Sequence, residues 1–283
     1  MAVGVLPTVT SKLDRPEGTI TMRVSTIGVR VETIWRLIPT FQIHAGAGMD
    51  VLLSIRYSDT WTNPEEQTPP ADWTDLRGST PEDAVYTYTS DVLGAFRAAG
   101  TLPDMVQIGN EITNGMLFPM GAVDNDEGWD ALSGLLKSAL RAVQEVDPGI
   151  FTVLHLDLID QLEWATSWMN AALARNVQFD ILAFSAYTRW HGEPAPWREN
   201  LLELSQRFPG HAFLVAQYAN NEILVNQYML DTPRGLGAFI WEPTTDGEWG
   251  DGLFDMPAGE GVAPPWDTLE LFDDITRMAA TQQ

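Results

Sequence analysis

Aromatic, amide and acidic residues follow several short apolar runs of this 283-residue sequence. Asn110 and Glu111 come almost directly after the run at 105–108. Other runs are followed by His155 and Asp157, by Tyr187, Trp190 and His191, by Gln217, and by Trp241. Aromatic rings bind the apolar faces of a sugar, and polar side chains bind its hydroxyl groups. These residue types therefore predict a carbohydrate site.

The apolar runs have the length and composition of strands that are buried on both faces of a parallel sheet. They predict strands at residues 49–55, 105–108, 151–156, 179–184, 212–216 and 236–241. Residues 84–99 and 129–146 have apolar side chains at helical spacing. Alternating strands and helices of these lengths favour an α/β fold of the (β/α)8 TIM barrel type, in which catalytic groups lie at the carboxyl ends of the strands. A doubly wound sheet is the alternative, but no glycine-rich phosphate turn is present.

The first 48 residues fit this pattern less well, which predicts atypical or incomplete N-terminal βα units. Residues 19–24 read as a strand that would be the second of the barrel, and residues 3–9 as a weak first strand. Residues 25–42 have neither helix nor strand periodicity, and residues 266–278 predict a closing helix. No repeat or linker divides the sequence, which predicts one barrel domain over residues 1–283.

Composition excludes several classes of function. The sequence has 16 Lys and Arg against 39 Asp and Glu, which gives a net charge of −23. This charge opposes binding to nucleic acid or to an anionic membrane, and no apolar run is long enough for a membrane span. The absence of Cys excludes disulfides and thiolate chemistry. His, Asp and Glu residues show no metal-ligand spacing, so no metal and no other cofactor is expected. The acidic loop at 246–255 offers four carboxylates, so a calcium site is the alternative there, but it lacks the spacing of an EF-hand loop, which favours a solvated surface.

Residues 104–115 (DMVQIGNEITNG) resemble the acid/base strand of glycoside hydrolase family 53, the endo-β-1,4-galactanases. Four further segments are similar to motifs of that family and occur in the same order. They are residues 57–61 (YSDTW), 67–69 (QTP), 190–192 (WHG) and 239–243 (FIWEP). The resemblance covers residues 49–254. It implies a monomeric, secreted enzyme that hydrolyses β-1,4-galactosidic bonds in (arabino)galactan of pectin side chains with retention of configuration. No signal peptide is evident in the sequence itself.

The resemblance also implies roles for individual residues. Glu111 would protonate the leaving oxygen as general acid and then activate water as general base. Asn110 would hydrogen-bond the 2-hydroxyl group of the reacting sugar. The other expected substrate-binding residues are Arg23, Asp59, Trp61, Tyr187, Trp190, His191 and Trp241. For Trp61 and Trp190, packing between loops is the alternative.

One departure from the family falls on the nucleophile, because residues 213–218 (FLVAQY) place Gln217 where the family has a glutamate. A primary amide has no negative charge and cannot form the glycosyl ester of a retaining mechanism. Its size allows it to keep contacts with a sugar. Loss of the negative neighbour should also lower the pKa of Glu111 relative to a family member that has it. Arg56 is a second departure, at a position where the family pattern has a histidine.

The sequence therefore predicts a retaining β-1,4-galactanase that is impaired by Gln217. A catalytically inactive, galactan-binding pseudoenzyme is the main alternative, and a related hydrolase of another β-linked glycan is a third. Gln217 as an ordinary buried amide with no link to catalysis also stays open. Glu242 lies one strand too far along the chain to replace the missing nucleophile, and a structural role is expected for it.

Overall fold

A computed structural model describes residues 9–11, 20–22, 27–28, 34–46, 50–74, 76 and 78–241 of the chain. The strands are β1 Val9–Ser11, β2 Ile20–Met22, β3 Ile27–Gly28, β4 Leu52–Ile55, β5 Met105–Ile108, β6 Gly115–Met116, β7 Gly121–Ala122, β8 Phe151–Leu156, β9 Ile181–Tyr187, β10 Ala212–Ala219 and β11 Gly235–Ile240. The helices are α1 Ile34–Gly46, α2 Pro81–Ala98, α3 Asp126–Val146, α4 Leu162–Ala174, α5 Thr188–His191, α6 Ala195–Arg207 and α7 Glu222–Asp231.

Seven strands form a parallel sheet in the order β3-β4-β5-β8-β9-β10-β11. Between β4 and β11, helices connect successive strands of this sheet, as a parallel arrangement requires. The side chains of the six strands from β4 to β11 are almost all buried, because they face either the barrel interior or the surrounding helices. The prediction of parallel strands alternating with helices is therefore confirmed. Strands β5 and β8 have the predicted bounds, and the others differ by a few residues at one or both ends.

Local signals determine where the helices begin. At the start of α2, the Thr80 hydroxyl accepts a hydrogen bond from the amide of Asp83, whose carboxylate accepts one from the amide of Thr80. This reciprocal capping box, with Pro81 in the first turn, satisfies amides that have no partner within the helix. Asn125 caps α3 in a similar way by accepting from Gly128.

The prediction that residues 19–24 form the second barrel strand is wrong. Strand β2, which lies in this segment, pairs antiparallel with β1 in a separate two-stranded sheet. Strands this close in sequence pair antiparallel because a parallel pair requires a crossover of a dozen or more residues. The first strand of the parallel sheet among the described residues is instead β3, which pairs with β4.

The segment at 25–42, for which no periodicity was detected, contains β3 and most of α1. Pro39 lies inside α1 and obscures the helical signal in the sequence. Leu37, Ile38 and Phe41 are buried, and the Phe41 ring lies 4.5 Å from the ring of Phe96 in α2. Tertiary packing therefore stabilises a helix that propensity alone does not predict. The predicted strand start at Met49 and the predicted helix at 266–278 lie outside the described residues.

Replacement of Phe41 by alanine tests whether α1 is an integral part of the fold. Because Phe41 is fully buried, Phe41→Ala should lower the free energy of unfolding by about 3–5 kcal/mol. The control is Ile43→Ala on the same helix, since the Ile43 side chain is 71% exposed and its loss should change little. Urea denaturation measures both variants. Equal stability of the two would show that α1 does not pack as described.

Candidate active site

A cavity of ≈ 620 Å³ opens where the parallel strands end, and its walls contain most of the predicted site residues. Of the predicted residues, those that line it are Trp61, Asn110, Glu111, Tyr187, Trp190, His191, Gln217 and Trp241. The walls also include residues that had no predicted binding role, namely Arg56, Thr62, Asn63, Pro64, Glu65 and Asp157. Six strands of the parallel sheet supply side chains at or just beyond their carboxyl ends, namely β4, β5, β8, β9, β10 and β11. This is the position that active sites occupy in β/α barrels.

Two residues of the prediction are not brought into this cavity by the described structure. Asp59 is not among the lining residues, because its carboxylate accepts a hydrogen bond from the backbone amide of Ala71 at 2.8 Å and thereby ties two loop segments together. Its contact with substrate stays a prediction. Arg23 lies outside the described residues, as does Glu242.

The backbone after β5 adopts an unusual conformation that presents Glu111 to the cavity. Gly109 has φ +75°, and a Cβ atom there would collide with the side chain of Ile112. Glu111 itself has φ 51° and ψ 53°, in the left-handed region that non-glycine residues rarely adopt. The buried amide of Gln67 donates hydrogen bonds to the carbonyl oxygens of Asn110 at 2.8 Å and Glu111 at 3.4 Å. Gln67 thus stabilises the turn from a neighbouring loop.

The carboxyl group of Glu111 is half-buried in the cavity wall, and the loss of hydration there raises its pKa from 4.5 to about 7 because it disfavours the charged form. The Ser185 hydroxyl donates a hydrogen bond to Oε1 of Glu111 at 2.5 Å and partly offsets this effect. The negative charge of Asp157 raises the pKa further, and the positive charge of Arg56 lowers it. A carboxyl group with a pKa near neutrality can release and recover a proton at physiological pH.

Asn110 and Gln217 form a direct hydrogen bond at the base of the cavity. The Gln217 amide nitrogen donates to Oδ1 of Asn110 at 2.7 Å, and the Tyr187 hydroxyl donates to Oε1 of Gln217 at 3.3 Å. The amide nitrogen of Asn110 donates to the carbonyl oxygen of Thr62 at 2.9 Å. Both side-chain amides, which are neutral groups, are therefore hydrogen-bonded within the protein.

Gln217 reaches this position because strand β10 is irregular. The register between β9 and β10 shifts between Val215 and Gln217, and so places Gln217 opposite Ser185. An extra residue in a strand bends it locally and redirects the side chains that follow. Gln217 on β10 consequently lies opposite Ser185 on β9, and Ser185 is the hydrogen-bond partner of Glu111.

Aromatic rings and one guanidinium group form the rim of the cavity. The Arg56 guanidinium carbon lies 4.2 Å from the ring centroid of Trp61 and 5.7 Å from that of Trp241. The two tryptophan rings are 5.7 Å apart in an edge-to-face arrangement. On the other side, Trp190 packs edge-to-face against Tyr187 at 5.2 Å. Such rings offer platforms for the apolar faces of a sugar.

Asp157 was recognised in the sequence as following a strand, but its place in the site was not predicted. Thr113 donates a hydrogen bond to its carboxylate and accepts one from its backbone amide. Burial raises the pKa of Asp157, and the nearby His191 lowers it. His191 is also held in place, since its Nδ1 accepts a hydrogen bond from the amide of Tyr187 at 2.9 Å. Asp157 is thus a second carboxylate whose charge acts on Glu111.

Within residues 9–241, excluding the gaps given above, no group of three or more His, Asp and Glu side chains is arranged to hold a metal ion. None of the helices in the same residues combines the length and apolar character that a membrane crossing requires.

Comparisons with known proteins agree with this geometry. The sequence profile of glycosyl hydrolase family 53 matches residues 26–226. The chain is 33% identical over 269 residues to an uncharacterized protein of Niallia circulans, a match that covers 80% of this chain and 71% of that protein. It is 29% identical over 232 residues to an arabinogalactan endo-β-1,4-galactanase of Humicola insolens, covering 70% of this chain and 68% of the relative.

A solved structure gives the same result for the fold. The GH53 catalytic domain of Ignisphaera aggregans is 28% identical and superimposes with a TM-score of 0.74, covering 86% of this chain and 78% of that domain. The predicted (β/α)8 barrel is therefore confirmed, and the seven-stranded parallel sheet is the part of it that the described residues show. The matched profile spans the strands that supply Asn110, Glu111 and Gln217. The chain belongs to glycosyl hydrolase family 53.

Proposed function

We propose that this chain is a β-1,4-galactan-recognising member of its family whose acid/base group is intact and whose hydrolysis is impaired by Gln217. The observation that carries this proposal is the half-buried Glu111 carboxyl group, hydrogen-bonded to Ser185 in a cavity walled by Trp61, Trp190 and Trp241. Galactan as the substrate is inferred from the Humicola insolens relative, which is named as an arabinogalactan endo-β-1,4-galactanase.

In the proposed mechanism, protonated Glu111 transfers its proton to the glycosidic oxygen as the bond to C1 breaks. A retaining enzyme requires a carboxylate that attacks C1 from the opposite side and forms a glycosyl ester, which water then hydrolyses. Gln217 occupies the nucleophile position, with a neutral amide that is hydrogen-bonded to Asn110 and Tyr187. It provides neither the nucleophile nor the negative charge that stabilises an oxocarbenium-like transition state, and hydrolysis is therefore slow.

A second candidate function is binding of galactan without turnover. It is favoured by the same Asn110–Gln217 hydrogen bond, which fills the base of the cavity with neutral groups while the aromatic rim is retained. The two functions differ only in the rate of bond cleavage, so binding and turnover must be measured separately. Under either function we expect a monomeric, extracellular protein that requires no metal or cofactor.

Restoration of the carboxylate tests the position of the nucleophile. Gln217→Glu should increase the rate of reducing-sugar release from β-1,4-galactan by at least about a thousandfold, since it supplies the missing nucleophile. The control is Gln144→Glu, which adds the same charge at an exposed position on α3 and should leave the rate unchanged. Adding Glu111→Gln to the Gln217→Glu variant should abolish the gain.

Two outcomes would contradict this assignment. Equal rates for the unmodified chain and Gln217→Glu, both well above background, would mean that position 217 is not the nucleophile. No activity in either protein, with both folded, would mean that another part of the galactanase apparatus is defective or that galactan is not the substrate.

Two tryptophans of nearly equal exposure test the sugar-binding rim. Trp190 is 51% exposed and lines the cavity, whereas Trp164 is 52% exposed at the start of α4 and does not. Trp190→Ala should weaken binding of galacto-oligosaccharides about fivefold to tenfold in calorimetry, through loss of stacking worth about 1 kcal/mol. Trp164→Ala should leave the affinity unchanged. Equal effects of the two substitutions would argue against a specific platform at Trp190.

A further inference from the structure

Three fully buried side chains form a continuous hydrogen-bonded chain that ends on Glu111. The amide nitrogen of Gln107 lies 3.3 Å from Nδ1 of His155, and Nε2 of His155 lies 2.9 Å from the Ser185 hydroxyl. That hydroxyl bonds Oε1 of Glu111 at 2.5 Å. Gln107 is 1% exposed, and His155 and Ser185 are 0% exposed, so none of them reaches the cavity. Any effect that they have on a substrate must act through Glu111.

The direction of each hydrogen bond follows from the chemistry of the partners. The amide nitrogen of Gln107 has two hydrogens and three neighbours, because it also lies 2.9 Å from the Ser54 hydroxyl and 2.9 Å from the carbonyl oxygen of Gly109. An amide nitrogen cannot accept from any of them, and the Gly109 carbonyl can only accept. This contact orients the Gln107 amide so that its N–H groups, rather than its oxygen, face Nδ1 of His155. Nδ1 is therefore the acceptor nitrogen of the imidazole.

The imidazole of His155 is neutral. Complete burial lowers the pKa of His155 from 6.5 to about 3, and the positive charges of Arg56 and His191 lower it further. A neutral imidazole whose Nδ1 accepts must have its hydrogen on Nε2, where it donates to Ser185. Because the Ser185 oxygen accepts this bond, its own single hydrogen is directed to Oε1 of Glu111.

We propose that Gln107, His155 and Ser185 are positioning residues that keep Oε1 of Glu111 as a permanent acceptor, and so confine the acid proton to Oε2. This deepens the proposed function, on which it rests, because it determines which oxygen delivers the proton to the leaving group. The same Gln107 amide bonds the carbonyl of Gly109, in the turn that precedes Glu111. The orientation of the carboxyl group and the path of its backbone are therefore held by one connected set of contacts.

Nitrogen-15 NMR of His155 in the unmodified chain tests whether the imidazole is neutral with its hydrogen on Nε2. This measurement does not require the protein to be active. We expect a neutral ring with the hydrogen on Nε2, unchanged from neutral to mildly acidic pH. A hydrogen on Nδ1, or titration near the ordinary pKa of 6.5, would overturn the proposal, because Ser185 would no longer be held as a donor to Glu111.

Replacement of Ser185 tests the last step. The hydrogen bond from Ser185 lowers the pKa of Glu111, so Ser185→Ala should raise that pKa by about one pH unit in carbon-detected NMR titrations. The control is Ser133→Ala, since Ser133 is a buried serine on α3 whose hydroxyl has no hydrogen-bond partner among the described residues. It should leave the Glu111 titration unchanged. An unchanged Glu111 pKa in a folded Ser185→Ala protein would overturn the proposal.

The kinetic consequence is measured in the Gln217→Glu background. Adding Ser185→Ala should lower kcat about tenfold with KM unchanged, since Ser185 does not contact the cavity. The descending limb of the pH–rate profile, which reports the general acid, should move to higher pH. A change confined to KM would contradict a positioning role. If Gln217→Glu has no galactanase activity, the proposed function fails, whereas the two NMR titrations still decide whether the chain of hydrogen bonds operates.

Discussion

Burial of the Glu111 carboxyl group is the constraint on which the rest of the site depends. A carboxylate loses hydration in this position, and its pKa rises to about 7 despite the opposing effects of Ser185 and Arg56. The group is held there by a left-handed backbone turn that Gln67 stabilises and by the buried hydrogen bonds that begin at Gln107. Without these contacts, the side chain could rotate toward solvent, where an ordinary carboxyl group is ionised at neutral pH and has no proton to donate.

Among the described residues, the hydrogen-bond partners of Gln217 and Asn110 are neutral groups. Gln217 and Asn110 are hydrogen-bonded to each other, and their other partners are the Tyr187 hydroxyl and the Thr62 carbonyl oxygen. Loss of a carboxylate at position 217 was expected to lower the pKa of Glu111 relative to relatives that have it. Loss of hydration, the largest effect, and the negative charge of Asp157 together raise the pKa of Glu111 to near neutrality.

Sequence patterns predicted the parallel strands and the cavity walls because buried strands are continuous apolar runs and barrel sites lie at strand ends. Helix α1 was missed because Pro39 interrupts its pattern and its stability comes from the contact between Phe41 and Phe96. The role of Ser185 was not predicted, since its contact with Glu111 depends on how neighbouring strands align. Asp59 is bound to the backbone of Ala71 rather than facing the cavity, a loop contact that no motif encodes.

A mechanism-based trap shows whether this chain, in which we propose that Gln217 replaces the nucleophile, can form a glycosyl ester. An activated 2-fluoro-β-galactoside forms a stable glycosyl ester with the nucleophile of a retaining enzyme, and intact-protein mass spectrometry detects the adduct. We expect no adduct on the unmodified chain and a stoichiometric adduct on Gln217→Glu that peptide mapping places at position 217. A stoichiometric adduct on the unmodified chain, for example on Asp157, would contradict this expectation.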